Sequence, residues 1–254
     1  MPVVLTSTED AVHIITLNRP DKRNALNDEL IDELKTALRY ANDDDSLRAV
    51  VIRGAGKDFC SGADLSSIQK IATATYEENL EDARSLAELF SLIREVRVPV
   101  IAAVHGRALA GGCGLATACD LVIATKSARF GYPEVKIGFV PAMVSAIVRR
   151  NIGEKKSFEL LTQGFEYSAQ EAESLGLVNK VFEDEDFETS QIEYASVYSR
   201  LSPSAVSLCK SLLYKIDGTL FREALEFGAA TNAQARMTDD CQNGIRAFLE
   251  RDRS

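Results

Sequence analysis

The chain has 254 residues, which is enough for one large domain or for one domain with an appendage. Hydrophobic residues make up 46% of it and charged residues 26%, a composition typical of globular proteins that excludes collagen-like and disordered chains. The 29 basic residues against 38 acidic ones give a formal net charge of -9, which argues against nucleic acid as a partner.

The N-terminal residues show no basic segment followed by an apolar one, and no apolar run reaches the roughly 18 residues of a membrane span. The sequence therefore predicts a cytoplasmic protein that makes no membrane contact. The five cysteines include no CxxC pair, and the two histidines, His13 and His105, have no second ligand at helical spacing. We therefore expect neither a disulfide framework nor a metal site.

Strands and helices alternate along the first part of the chain. Runs of apolar and β-branched residues predict buried strands at 12–17, 49–52 and 100–104. Between them, apolar residues recur at steps of three and four, which predicts helices over 28–42, after an Asn27 cap, and over 76–96. This alternation predicts the α/β class.

Helical signals dominate the second half. Residues 111–118 are small and apolar and predict a helix before a fourth strand at 120–124. Another helical pattern begins at Pro141, Ser168 begins a capping box, and Ser202 precedes a proline suited to the first helical position. No strand pattern follows residue 185. We expect an α/β core over residues 1–190 and a helical region over residues 191–254.

Two glycine-rich loops at strand ends are candidates for chemistry, Phe59–Leu65 and His105–Leu115. Neither matches a P-loop, a nucleophile elbow or a dinucleotide-binding fingerprint. Small residues around Ala63 and Gly111 would let a ligand approach the backbone, and two N–H groups there would form an oxyanion hole. The alternative is that these residues only permit close packing of helix on strand.

The motifs together resemble the crotonase superfamily, the enoyl-CoA hydratases and isomerases. The resemblance covers most of the chain and rests on these segments: Asn18–Pro20, Asn24–Leu26, Phe59–Leu65, Gly106–Asp120, Phe130–Glu134, Gly138–Pro141 and Ala172–Asn179. It implies a crotonase-type spiral of repeated ββα units with two nearly perpendicular sheets. It also implies a helical C-terminal oligomerisation region, and a homotrimer or a hexamer made of two trimers.

The same resemblance assigns roles to residues. The N–H groups of Ala63 and Gly111 would hold the thioester oxygen of an acyl-CoA, so that an enolate can form. Coenzyme A would be part of the substrate, with no separate cofactor. The residues implied along its path are Lys22, Arg23, Ala25, Asp64 and Leu65. For Lys22 and Arg23, solvated loop charges are an equally good interpretation.

Family hydratases carry two glutamates, and here only Glu134 remains, because Gly114 stands at the first position. One carboxylate suffices for a 1,3 proton shift, whereas adding water across a double bond is usually served by two. The sequence therefore favours 3-enoyl-CoA to 2-enoyl-CoA isomerisation. A hydratase with its second acid replaced is the alternative, and the nearest candidates for that acid are Asp64, Glu77, Glu78 and Glu81.

Two further possibilities remain. A non-catalytic acyl-CoA binder would explain the missing glutamate, although an intact Glu134 argues against it. RNA binding, reported for some relatives, is disfavoured by the net charge of -9. Neither His13 nor His105 has a role in the expected mechanism. We expect residues 66–76 and 140–148 to form the walls of the acyl pocket. Their sequence does not indicate which acyl group the pocket holds.

Overall fold

The computed structural model describes residues 2–251, apart from the side chains of Leu65 and Arg251. Within this range, nine strands form two sheets. The strands are β1 (Val4–Glu9), β2 (Val12–Leu17), β3 (Ala49–Gly54), β4 (Val100–Val104), β5 (Arg107–Leu109), β6 (Leu121–Thr125), β7 (Arg129–Gly131), β8 (Glu166–Ser168) and β9 (Lys180–Phe182). The larger sheet has the order β1-β2-β3-β4-β6-β9 and the smaller one the order β5-β7-β8.

Eleven α-helices are described among these residues. They are α1 (Asp28–Asp43), α2 (Leu65–Thr73), α3 (Tyr76–Glu95), α4 (Gly111–Ala118), α5 (Ala142–Asn151), α6 (Glu154–Gln163), α7 (Ala169–Leu175), α8 (Phe187–Ser196), α9 (Pro203–Lys215), α10 (Phe221–Arg236) and α11 (Asp239–Arg251). Short 3-10 helices include Pro20–Lys22 and Pro133–Ile137. None of the helices within residues 2–251 is long and apolar enough to cross a membrane.

The large sheet is mostly parallel. β1 pairs with β2 in antiparallel fashion, and every later neighbour in this sheet pairs in parallel. Because parallel strands need crossover connections, helices lie between them in sequence, and both faces of the sheet are covered. The carboxyl ends of β2, β3, β4 and β6 therefore lie at one edge of the sheet, where ligand sites of α/β proteins usually form.

Alternating side chains of the large sheet supply two separate core clusters. On β3, Val50 and Ile52 belong to the larger cluster, whereas Val51 between them belongs to the smaller one. The larger cluster also contains the buried faces of α1 and α3. The smaller cluster is closed by α8, through Phe187 and Ala195. This alternation follows from the two-residue side-chain period of a strand.

The C-terminal helices contact the core through a buried ion pair. Lys210 in α9 lies 2.7 Å from the Asp120 carboxylate and donates to the carbonyl oxygens of Ile93 and Val98. The Tyr214 hydroxyl donates to the same carboxylate over 2.6 Å. Removing a single partner would leave an uncompensated buried charge, so this network fixes α9 on the core.

The strands predicted from apolar runs correspond to β2, β3, β4 and β6, and the predicted caps are present. Asn27 caps α1, Ser168 forms a capping box at α7, and Ser202 caps α9. Sequence patterns gave no prediction for β1, α2 or the small sheet. The α/β class, the two sheets and the helical C-terminal region agree with the expected fold; the boundary at residues 190 and 191, which lies inside α8, stays a prediction.

Candidate active site

In the loop after β3, the Ala63 backbone N–H donates no hydrogen bond within the described residues. A parallel bridge joins Leu26 to Ala63: the Leu26 N–H donates to Gly62 over 2.7 Å, and the Asp64 N–H donates to Leu26 over 2.8 Å. In such a bridge, the N–H of the middle residue points away from its partner strand. The Ala63 N–H is therefore directed to the side opposite Leu26 and is available to a ligand.

A second N–H with no acceptor in residues 2–251 belongs to Gly111, the first residue of α4. The first N–H groups of a helix have no acceptor within the helix, and they carry its positive dipole end. Ala110 precedes it with φ 50° and ψ -127°, a positive-φ conformation that is costly for an alanine. The Ala110 N–H donates to Gly131 over 2.8 Å, which helps to hold this strained residue in place.

The two loops touch each other where these N–H groups lie. Gly62 has φ +97°, and a Cβ there would lie 2.7 Å from the Ala110 Cβ and 3.5 Å from the Gly111 nitrogen. A Cβ on Gly112 would lie 2.2 Å from the carbonyl oxygen of Cys60. Only glycine permits such close approaches, so the small residues do allow tight packing. The same packing brings two unpaired donors to one place.

Glu134 lies beside these loops in the Pro133–Ile137 turn. Burial raises its pKa above the ordinary carboxyl range, and its Oε2 is buried without a hydrogen-bond partner in the described residues. Burial also raises the pKa of Cys113 to about 12, and the Glu134 charge adds to this shift. The Ala110 N–H donates to Gly131, three residues before Glu134, and this bond joins the Glu134 segment to the loop before α4. A carboxylate in such surroundings is suited to exchange protons near neutral pH.

The position of the missing carboxylate is filled by apolar side chains. A Cβ on Gly114 would lie 2.4 Å from Cγ1 of Val144 and 3.1 Å from Cζ of Phe90. Val144 and Phe90 are 3% and 4% exposed. Gly114 therefore has no room for any side chain, and a glutamate there would displace core atoms.

Three of the residues expected along the coenzyme A path, Lys22, Arg23 and Ala25, lie in one loop that packs on the Ala63 loop. The Ser61 N–H donates to the Arg23 carbonyl oxygen over 3.0 Å, which joins the two loops. Lys22 and Arg23 are exposed, and Arg23 lies 4.0 Å from the Asp58 carboxylate. Ala25 is 5% exposed. The two cations are thus accessible on the surface, next to the candidate oxyanion donors.

Asp64 is already engaged by protein groups. Its carboxylate accepts from Arg19 over 2.6 Å and from the Ser66 N–H over 2.9 Å, the bond that caps α2. These hydrogen bonds, led by the Ser66 backbone donor, lower its pKa to about 2. Asp64 thus stabilises the loop rather than presenting a free carboxylate. The neighbouring Leu65 begins α2, and its side chain lies outside the described atoms.

Two residues without a predicted role hold the loops together. Asn24 is fully buried and donates from Nδ2 to the carbonyl oxygens of Ala55 and Asp58. Arg19 donates to the Ala25 carbonyl oxygen as well as to Asp64. The signal was present in the Asn18–Pro20 and Asn24–Leu26 motifs, but only the folded chain shows what these side chains contact.

The other three carboxylates considered for a second acid lie in the first turns of α3. Glu78 closes the capping box of α3 with Thr75, whose backbone N–H lowers its pKa. Glu77 and Glu81 are exposed on the same helix. Within residues 2–251, no group of three or more His, Cys, Asp or Glu side chains could hold a metal ion.

The two histidines lie in β2 and directly after β4. His13 is 3% exposed in β2, and burial lowers its pKa. His105 lies 3.0 Å from the Gly56 carbonyl oxygen. Each thus has a local structural environment.

Sequence comparison identifies a protein family and individual proteins to which this chain is similar. The family model described as enoyl-CoA hydratase/isomerase matches residues 7–254. A putative enoyl-CoA hydratase of Thermus thermophilus is 40% identical over 240 residues, which are 94% of this chain and 95% of that protein. The 2,3-dehydroadipyl-CoA hydratase of Escherichia coli is 35% identical, over 99% of this chain and 97% of that protein.

Solved structures of similar proteins have the same fold as this chain. An enoyl-CoA hydratase of Mycobacterium smegmatis superposes with a TM-score of 0.94 at 33% identity, covering 99% of this chain and 97% of that one. An enoyl-CoA hydratase/isomerase from Legionella pneumophila, described as putative, superposes with a TM-score of 0.90 at 37% identity, over 99% and 97% of the two chains.

Proposed function

The chain belongs to the enoyl-CoA hydratase/isomerase family of enzymes acting on acyl-CoA, and we propose that it moves the double bond of a 3-enoyl-CoA to the 2 position. Glu134 is the proton shuttle, and the N–H groups of Ala63 and Gly111 form the oxyanion hole. The runner-up is hydration of a 2-enoyl-CoA.

The proposed reaction has two proton transfers. Glu134 takes a proton from carbon 2, and the electron pair of the broken C–H bond delocalises onto the thioester oxygen as a dienolate. The two N–H donors stabilise this negative charge more than they stabilise the neutral substrate, which lowers the barrier. The protonated carboxyl then returns its proton to carbon 4, while a new double bond forms between carbons 2 and 3.

The environment of Glu134 is the observation that carries the proposal. Its Oε2 is buried and receives no hydrogen bond from the described residues, so it is free to accept a proton. Its raised pKa brings proton uptake and release closer to neutral pH than in an exposed carboxylate. Gly114, with Val144 and Phe90 against it, leaves no space for a second carboxylate. A mechanism that needs one carboxylate suits this site better than one that needs two.

The test offers the purified protein a 3-enoyl-CoA and follows the absorbance of the conjugated thioester. Glu134→Gln should lower kcat by about 10²- to 10⁴-fold, the usual contribution of a general base, with the affinity for CoA thioesters little changed. Glu173→Gln, an exposed glutamate on α7, is the matched control and should behave as the wild type. No gain of conjugation by the wild type would overturn the isomerase proposal.

The pH dependence gives a second readout of the same residue. Only the ionised carboxylate can accept the carbon-bound proton, so kcat/KM should fall as the pH drops through the raised pKa of Glu134. The acidic limb should therefore lie above the ordinary carboxyl range. A limb at the pKa of an exposed glutamate would contradict the assignment.

Hydration is retained as the second candidate because the relatives compared above carry hydratase names. In that case Glu134 would act on the water together with a second acid that replaces the one absent at Gly114. The diagnostic is a 2-enoyl-CoA that loses conjugation and gains the mass of one water. A protein that binds CoA thioesters and changes neither substrate would instead be a binder, and Glu134→Gln would then alter nothing.

The coenzyme A path and the oligomer complete the proposal. The exposed Lys22 and Arg23 are suited to meet phosphates, beside the loop that holds Ala63. On the C-terminal helices, Phe221 is 80% exposed and Leu225 58%. Exposed apolar side chains of this size favour contact with a second subunit, so we expect a trimer or a hexamer. Mass photometry of the wild type and of Phe221→Glu checks this, and a monomeric wild type would refute it.

A further inference from the structure

We infer that a cavity at the carboxyl ends of the parallel strands is a second ligand site, which takes a small molecule carrying phosphate groups. The cavity has a volume of about 850 Å³, within the range of roughly 300–1,000 Å³ common for small-molecule sites. Its walls come from the ends of β2, β3, β4 and β6 and from α8. The lining residues used below are Arg53, Lys57, Asp58, Arg107, Ser127, Arg129, Asp184, Glu188 and Gln191.

The cavity is distinct from the proposed acyl-CoA site, although Asp58 in its lining lies 4.0 Å from Arg23. Neither Glu134, Ala63 nor Gly111 lines it, and the described coenzyme A candidates do not line it either. It opens instead beside the segments that follow β3, β4 and β6. In open α/β sheets, this edge is where ligands bind, because loops from several strands converge there. The proposed function does not use this cavity.

Four cationic side chains converge on the cavity in a chain whose net charge is -9. They are Arg53, Lys57, Arg107 and Arg129. Lys57 is exposed, and within residues 2–251 the Arg129 guanidinium donates only to the adjacent Ala128 carbonyl oxygen. Arg53 donates to the Thr16 hydroxyl over 3.2 Å. Guanidinium and ammonium groups grouped in this way match the oxygens of phosphate groups.

The three acidic residues of the lining offset this charge only in part. Asp58 accepts from the Arg107 backbone N–H over 3.0 Å, and Asp184 accepts from the Ser127 N–H over 3.1 Å. These two carboxylates are thus bonded to the wall.

The third acidic residue, Glu188, has a side chain that is 89% exposed and lies 3.5 Å from Arg53. Outside the lining, Glu166 lies 3.6 Å from Arg107. Both of these pairs are partly exposed and are therefore weak, so a multivalent anion can compete for the two arginines.

A buried acceptor in the same wall is unfilled. Gln191 is 4% exposed, and its Nε2 donates to the Glu188 carbonyl oxygen over 3.2 Å, which fixes the orientation of the amide. Its Oε1 is buried and accepts no hydrogen bond from the described residues. Leaving such an acceptor unpaired costs free energy. A ligand hydroxyl or a water that donates to this oxygen would recover the lost free energy. This favours a phosphate compound that also carries a hydroxyl group.

Inorganic pyrophosphate is the probe that tests the cation cluster, by isothermal titration calorimetry on the full chain at low and at physiological salt. We expect binding that weakens with salt, and a loss of affinity of at least about tenfold in Lys57→Gln/Arg129→Gln. Lys57→Glu should also weaken pyrophosphate binding. Because Lys57 is exposed, this substitution should not affect folding. Lys155→Gln, an exposed lysine on α6 outside the cavity, is the control and should retain wild-type affinity.

A competition arm separates the cavity from the phosphates of coenzyme A. Saturating CoA should leave pyrophosphate binding at this site unchanged. Displacement by CoA would assign the anion affinity to the substrate path and overturn the inference, as would unaltered pyrophosphate binding in both Lys57 variants. These outcomes are independent of enzyme turnover, so a failure of the isomerase proposal leaves the result interpretable.

Discussion

Gly114→Ala is expected to destabilise the protein, although alanine is the better helix former. The new Cβ would lie 2.4 Å from Cγ1 of Val144, whereas apolar carbons rest about 3.5–4.0 Å apart. Val144 must therefore move by about 1 Å inside a packed core, and overpacking of this kind costs about 1–3 kcal/mol. The higher helix propensity of alanine relative to glycine offsets about 1 kcal/mol of this cost. Given the severity of the overlap, the net loss should be about 1–2 kcal/mol.

A double-mutant cycle isolates this steric contact. Val144→Ala alone should cost about 2 kcal/mol for the buried methyl groups and the space they leave. In that background, Gly114→Ala no longer meets Cγ1 and should stabilise the protein by up to about 1 kcal/mol. The two substitutions should thus couple by about 2–3 kcal/mol in favour of the double variant.

Urea unfolding followed by far-UV circular dichroism measures each variant, at one protein concentration because an oligomer unfolds in a concentration-dependent way. The matched control is Gly228→Ala in α10, where a Cβ meets nothing within 4 Å. This control should be neutral or slightly stabilising. If Gly114→Ala resembles Gly228→Ala, or if the two effects at 114 and 144 simply add, Gly114 is not sterically closed, and the structural argument for a single carboxylate fails.

Three further predictions concern buried charges and thiols. Lys210→Ala should lower the free energy of unfolding by about 3–5 kcal/mol, because it leaves the Asp120 carboxylate buried without its cation. Asp64 has a pKa lowered to about 2, so its stabilisation is present above the ordinary carboxyl pKa and should be lost as the pH falls from about 4 towards 2, a loss that Asp64→Asn should not show. Burial raises the pKa of the Cys60 thiol to about 12, so a thiol reagent at neutral pH should modify exposed Cys209 first and Cys60 only after unfolding.

Each of these has a direct control. Lys126→Ala removes an exposed ion pair with Glu183 and should change stability by no more than about 1 kcal/mol, so an equal effect at Lys210 would contradict the buried-pair argument. For Asp64, identical acid unfolding curves of wild type and Asp64→Asn would be the contrary outcome. For the thiols, peptide mapping that finds Cys60 modified in the folded protein would be contrary to its burial.

The sequence by itself determined the features whose causes are local. The apolar periodicity of α1, the caps at Asn27 and Ser168, and the β-branched runs of β3 and β4 depend on neighbours within a few residues. The motifs, taken together, also sufficed to identify the family. A resemblance of this extent places Ala63, Gly111 and Glu134 on their loops without any coordinates.

Only the tertiary structure decided the features that depend on distant segments. The small sheet has three-residue strands, which exist because β5, β7 and β8 pair across long stretches of chain and not because their residues favour strands. Gly114 reads as an absent glutamate in the sequence, whereas the fold shows a position filled by Val144 and Phe90. The cationic cavity is likewise assembled from the ends of four strands. Packing, charge convergence and free backbone donors are all properties of residues far apart in the chain, so no local pattern encodes them.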